Sequence, residues 1–324
     1  MSAEQPLIHH VYANVYIAGC NSATIESLSM SNIITLDVFP DNKDPFPNLE
    51  SIFHFNVNLH EHLLSADGQA VIICDESMRY SVSLIGAYLI LVEHCDLQVV
   101  LNIVKTLHDA MEPNQDELYF RALHHAQNYG WINHYEEDGR LIADNLEEHI
   151  HYSRTENGKL NIVIPGKLII VPKVHDVLDS NTLWKDVLSS EHLGADRHFS
   201  ASFYAELLRH LGVAILTCLG PADERTVMAM ENCGLACEDQ LVISGSRSIF
   251  RPLDRILSLN RAGAAVALLC DDAHDAGRVR LLVLARLVQL GMSGVEAEAW
   301  LHLTCPALDE TTGDVEREAT SSPF

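Results

Sequence analysis

Cys270 closes an apolar run, Ala264-Ala265-Val266-Ala267-Leu268-Leu269-Cys270, and is followed at once by Asp271-Asp272-Ala273-His274-Asp275-Ala276-Gly277 and a helical pattern. A strand, a short loop and a helix in that order build an anion cradle, because the free N–H groups of the loop and of the helix's first turn point at one spot. A cysteine at the strand's end stands where a nucleophile would attack the bound anion. The neighbouring charges oppose that use. Asp271, Asp272 and Asp275 are expected to disfavour the thiolate and to repel a phosphate group carrying about −1.5 to −2 charges.

The layout resembles that of the cysteine-dependent protein phosphatases, whose loop runs His-Cys, any five residues, Arg, with a Gly inside it. Here the position before the cysteine is Leu269, the Gly position is Ala273, and the position of the arginine is Ala276. Arg278 comes two residues too late, on the helix side of the loop. A guanidinium belongs at that position because its planar fork grips two phosphate oxygens at once. Alanine does none of this.

A second stretch has the same order of elements. The run Ala70-Val71-Ile72-Ile73-Cys74 reads as a strand buried on both faces, and Ser81 to His94 reads as an apolar helix. The loop between them, Cys74-Asp75-Glu76-Ser77-Met78-Arg79-Tyr80, puts Tyr80 at the arginine position and Arg79 one residue early. Cys74 is expected to be a small buried residue.

The elements that position these loops follow from periodicity and punctuation. In the first half, Val11 to Gly19 reads as a strand, Ile25 to Met30 as a short helix, and Ser51 to Asn58 alternates like a strand. Asp96 caps a helix that Pro113 stops, and Asp116 to Tyr129 makes another, closed by Gly130. In the second half, Lys167 to Val171, Gly212 to Cys218 and Asp239 to Gly245 read as strands beside the run ending at Cys270, with Phe199 to Leu211 and Arg278 to Leu290 as helices. Ser293 and Glu296 form a capping box for the last helix, which Cys305-Pro306 ends. Matching Cys74 to Cys270 superimposes strand, loop and helices, which points to an internal duplication. The expected fold is α/β, two tandem domains, each a mostly parallel sheet flanked by helices.

Between the halves lies a polar, acidic stretch containing His151-Tyr152, Glu156-Asn157-Gly158 and Pro165-Gly166-Lys167. It resembles the linker of the mitotic-exit dual-specificity phosphatases of the cell-division-cycle-fourteen type. Leu84-Ile85-Gly86-Ala87-Tyr88 and Glu296-Ala297-Glu298-Ala299-Trp300-Leu301 resemble two helices of the same family. The resemblance implies an N-terminal phosphatase-like domain over 1–137, a linker over 138–165 and a C-terminal phosphatase-like domain over 166–308; the tail over 309–324, rich in Thr, Ser and Glu, is expected to be disordered. It also implies catalysis in the second domain and a groove that receives peptides carrying phosphoserine before proline. Residue by residue, the family's cysteine falls on Cys270, its histidine on Leu269, its arginine on Ala276 and its general-acid aspartate on Ser244. The resemblance thus implies a pseudophosphatase, a vestigial site with no expected catalytic residue, acting as a protein-binding scaffold or a component of a larger assembly. The alternative is a residual phosphatase using Cys270.

Composition narrows the partners. The formal charge of −24, from 21 Lys+Arg against 45 Asp+Glu, disfavours nucleic acid and anionic membranes and favours a protein with a basic surface. Eight cysteines without framework spacing read as reduced thiols of an intracellular protein. A cytoplasmic, nuclear or cytoskeletal location, the cilium included, is the expectation. The N-terminal residues lack the pattern of a secretory leader, and Leu84 to Val92 is far short of the roughly 20 apolar residues a membrane span needs. No cofactor is expected, and no metal. Cys233 and Cys237 lack a second ligand pair, and His60 with His62, or His149 with His151, would share a face only on a strand.

Overall fold

The computed structural model describes residues 8–19, 33–38, 46–64, 69–74, 79–107, 115–132, 144–172, 174, 182–188, 195–219, 223–239, 250–270, 273–306 and 308. The chain divides into two compact units, Met1–Glu147 and Glu148–Phe324.

In the first unit, β1 (Ile8–Tyr12) and β2 (Val15–Gly19) form an antiparallel hairpin that turns at Ala13, whose φ is 40°. The single strand predicted over Val11 to Gly19 is therefore two, broken by that turn. Next in the chain are β3 (Ile33–Val38), α1 (Leu49–Leu64), β4 (Gln69–Cys74), α2 (Arg79–Leu91), α3 (Leu97–Leu107) and α4 (Gln115–Asn128). The sheet runs β1-β2-β4-β3, with β4 parallel to both neighbours. The helix predicted at Ile25 to Met30 lies outside the described residues.

The strand predicted over Ser51 to Asn58 is instead part of α1. Its buried residues, Leu49, Ile52, Phe55, Asn56 and Leu59, follow the helical period, and the Asn48 side chain accepts the free N–H of Ser51 at 2.8 Å. His60 and His62 consequently point to different sides of a helix. The apolar helix after Cys74 is the core of this unit: every residue of α2 from Ser81 to Leu91 is buried, against α1, α3, α4 and β4. Gly86 has a packing reason. A Cβ there would meet the Phe120 ring of α4 at 2.5 Å, and Phe120 is itself fully buried.

The second unit holds α5 (Asp144–Ser153), which begins in the last residues of the first, then a 3-10 turn (Thr155–Asn157), β5 (Asn161–Ile164), β6 (Leu168–Val171), and the hairpin of β7 (Trp184–Leu188) and β8 (Ala195–Phe199). After these come α6 (Ala201–His210), β9 (Val213–Cys218), α7 (Glu224–Asn232), β10 (Ala236–Asp239), α8 (Phe250–Arg261), β11 (Ala265–Leu269), α9 (Ala273–Gln289) and α10 (Gly294–Thr304). Five strands form one sheet in the order β10-β9-β11-β6-β5, parallel except for the antiparallel β5. One face packs on α6 and α7 through Leu216, Ala267 and Leu269 against Tyr204, Leu208 and Met230. The helices α8, α9 and α10 complete the unit, with the Trp300 indole N–H donating to the Val163 carbonyl at 2.9 Å.

Several sequence readings change here. The stretch read as a linker is folded from residue 144 onward, and its Asn161–Ile164 segment pairs with β6 as an edge strand. A strand is present at Ala236–Asp239, shortly after α7 and its C-cap Cys233; beyond Asp239, the strand predicted over Asp239 to Gly245 lies outside the described residues. Phe199 closes a strand rather than opening a helix, since Ser200 is the N-cap of α6 and accepts from Phe203 N. The helix predicted from Arg278 starts at Ala273. The capping box of Ser293 and Glu296 is present in full.

The Glu156-Asn157-Gly158 motif has a structural account. The Asn157 amide donates to the His151 carbonyl at 2.9 Å, closing the end of α5. Gly158 takes a left-handed φ of 115°, and a Cβ there would lie 3.2 Å from the Phe203 ring. Its carbonyl accepts the Tyr204 hydroxyl at 2.9 Å. His149, 7% exposed, donates from Nδ1 to the Ile162 carbonyl at 3.1 Å, whereas His151 is exposed, so on this helix the two share no face.

Two outcomes are expected. Gly86→Ala should lower the urea midpoint, because overpacking against Phe120 costs about 1–3 kcal/mol and the better helix former returns only about 1; a raised midpoint would contradict the close contact. Burial pulls the His149 pKa down to about 4. Between the usual value near 6.5 and about 4 the unfolded chain binds the extra proton, so the stability present above about pH 6.5 drains as pH falls. From pH 7.5 to about pH 5.5 the wild type should lose about 1 kcal/mol more than His149→Gln in denaturant titrations. Equal losses would place His149 in contact with water.

Candidate functional site

The central strand of the second unit positions Cys270. β11 is buried at all five residues and hydrogen-bonds to β6 on one side and β9 on the other, with Leu269 opposite Val171 and Cys218. The N–H of Cys270 still belongs to this ladder, donating to the Val171 carbonyl at 2.9 Å. Its side chain is half-buried and not in a disulfide. Such a point, at the carboxyl ends of parallel strands with a helix N-terminus two residues on, is where α/β sheets bind ligands.

The connection from Cys270 to the next helix is short. α9 begins at Ala273, so Ala273, His274, Asp275, Ala276 and Gly277 belong to a helix, not to an open loop. Only Asp271 and Asp272 separate Cys270 from that helix, and both are outside the described residues. The reason is local propensity: Ala273 and Ala276 favour helix, and no Gly precedes Gly277 to curl the backbone around an anion. Ala276 is 3% exposed, so the side chain at that position faces the core. Arg278 donates from Nη1 to the Leu219 carbonyl at 3.3 Å, which ties the second turn of α9 to the end of β9. Two further arginines of α9 have their own partners, Arg280 with Glu298 at 3.4 Å and the buried Arg286 with the Asn260 amide oxygen at 3.2 Å. Ser244 lies outside the described residues.

In the first unit, Cys74 ends β4 opposite Gly19 and Val38, and α2 begins at Arg79. Arg79 makes a bidentate pair with Asp116 of α4, at 3.0 and 3.1 Å, and Asp116 is 2% exposed. The guanidinium that sequence places one residue early is thus a bolt between the starts of two helices. Tyr80 is half-buried beside it.

The structure therefore places Cys270 and Arg278 on consecutive elements of one sheet end, and directs at least one N–H of Arg278 to a backbone carbonyl. Sequence reasoning did not anticipate the pairing of Arg79 with Asp116, although both open a helix and carry opposite charge. No group of three or more His, Cys, Asp or Glu side chains arranged to hold a metal ion occurs among the described residues, and no described helix is long and apolar enough to cross a membrane.

No protein-family model matches the chain, and no curated protein matches it. Among solved structures, a chain described as "Protein Tyrosine Phosphatase (putative) from Leishmania major" is similar to 43% of this chain over 77% of its own length, at 18% identity and a TM-score of 0.26. An overlap that loose transfers no chemistry from one chain to the other.

Proposed function

We propose that this protein is a tandem dual-specificity-phosphatase-like protein of the cell-division-cycle-fourteen type whose two centres have lost their chemistry, and that it serves as a protein-binding scaffold or a structural part of a larger assembly. The connectivity of the two sheets supports the tandem reading: in each, a hairpin leads, the last strand is inserted beside it, and a cysteine stands at or just past that strand's end before a helix. The observation that carries the loss of function is the early start of α9. It winds the residues from Ala273 to Gly277 into a helix and buries Ala276 where the family's arginine would stand.

Magnitudes support the same reading. A missing oxyanion donor costs roughly 10²–10³ in rate, and a missing general acid roughly 10²–10⁴. Ser244 supplies no acid of carboxylic strength. In the first unit, the bidentate contact to Asp116 occupies the Arg79 fork. A charge of −24 suits a partner with a basic surface, and eight cysteines without framework spacing suit an intracellular setting, cytoplasmic, nuclear or cytoskeletal.

Hydrolysis of a generic aryl phosphate tests this. The full chain should release no more phenol than its Cys270→Ser variant. Turnover that vanishes in Cys270→Ser would overturn the proposal in favour of a residual phosphatase.

A further inference from the structure

Two cysteines away from the Cys270 loop are placed for chemistry of their own. Cys218 is the last residue of β9 and Cys237 the second of β10. In the parallel register Cys218 lies opposite Asp239, so Cys237 is two residues back along the neighbouring strand and on the same face of the sheet. Their sulfurs are 3.7 Å apart. Cys218 is 1% exposed, and Cys237 is half-buried at the margin of the same apolar cluster. One thiol is sheltered and its neighbour is reachable from solvent.

Among the described residues β10 pairs within its sheet with β9 alone, and the Arg255 guanidinium of α8 ties it down by donating to Glu238 at 2.6 Å. β9 is held on both sides by β10 and β11, so β10 is the strand with fewer backbone bonds to shift. Drawing the sulfurs in to the roughly 2.05 Å of a disulfide therefore shifts an edge strand of four residues and leaves the centre of the sheet in place. Diagonal neighbours on adjacent strands start about 7–8 Å apart at Cα, more than a relaxed disulfide spans. Such a bond forms under oxidant and yields to thiol reductants, unlike a permanent structural bridge.

We propose that Cys218 and Cys237 form a reversible oxidation site, closed by a peroxide and opened by a dithiol. Hydrogen peroxide transfers one oxygen to the Cys237 sulfur, giving a sulfenic acid and one water. The Cys218 sulfur then attacks the Cys237 sulfur; the S–S bond forms as the S–O bond breaks, and hydroxide leaves with the Cys218 proton as a second water. Two thiols lose two protons and two electrons, and the peroxide's two oxygens end as water. The site reaches the rest of the unit through Leu219, the next residue after Cys218, whose carbonyl accepts Arg278 of α9.

Peptide mapping without reduction tests the site. Trypsin cuts after Arg209, Arg225 and Arg247, which separates the peptide holding Cys218 from the one holding Cys233 and Cys237. The full chain is treated with hydrogen peroxide, its remaining thiols are alkylated, and it is digested. The expected product joins the two peptides, is lighter than their sum by two hydrogens, and fragments to place the bond at Cys237. It should vanish with dithiothreitol and be missing in Cys218→Ser. Recovery of both residues alkylated throughout a peroxide titration, up to the level that unfolds the protein, would overturn the proposal. So would a bond mapped to Cys233. The wild-type chain carries this readout, so a variant that fails to fold does not decide it.

Discussion

The second unit depends on the burial of β11. Its five residues are covered on both faces, and from Val266 to Leu269 it is laddered to β6 and β9 alike, so its register is fixed from both sides. Everything near Cys270 inherits its position from that strand. The N–H of Cys270 extends the ladder by one bond to Val171, and α9 must start within two residues because its buried face, from Ala276 and Val279 to Val283 and Leu287, has to reach the same core.

On the proposed reading, that constraint is why a single substitution would not supply phosphatase chemistry. An arginine clamp needs an open loop whose backbone N–H groups surround the anion and whose guanidinium closes over it. Here the chain uses those residues for the first turn of a helix, and the clamp position is part of the hydrophobic core. Restoring a guanidinium at Ala276 would bury an uncompensated charge instead of presenting it to phosphate. The first unit shows a parallel arrangement, with Arg79 joined to a buried carboxylate at the root of α2.

How much of this was legible in the sequence depended on how one-sided the signal was. Continuous apolar runs, such as those before Cys74 and Cys270, could be read because strands covered on both faces admit almost nothing else. The Ser293 box was legible because its geometry is local. α1 was not: Phe53, Phe55 and Val57 alternate, while the helix buries Ile52, Phe55 and Leu59, and the buried Asn56 disguises its inner face. The hairpin of β7 and β8 sits apart from the main sheet and is pinned by Arg197, which pairs with Asp186 and stacks on Trp184 at 3.9 Å; that kind of contact leaves no periodicity. Around the candidate site the cysteine and its strand were legible, but the start of α9 was not. Asp271 to Gly277 reads as loop when compared with a phosphate cradle and as helix when its alanines are weighed.

On the proposed reading the end of β11 holds no oxyanion, and the most direct measurement is the melting temperature of the full chain titrated with tungstate. A ligand that binds only the folded state raises that temperature by mass action, by the equivalent of about 2.7 kcal/mol at a hundredfold excess over its dissociation constant. A flat titration, the same as that of Cys270→Ser, is expected. A saturable rise that Cys270→Ser or Gly277→Val removes would contradict it and return the loop to the class of working phosphate sites.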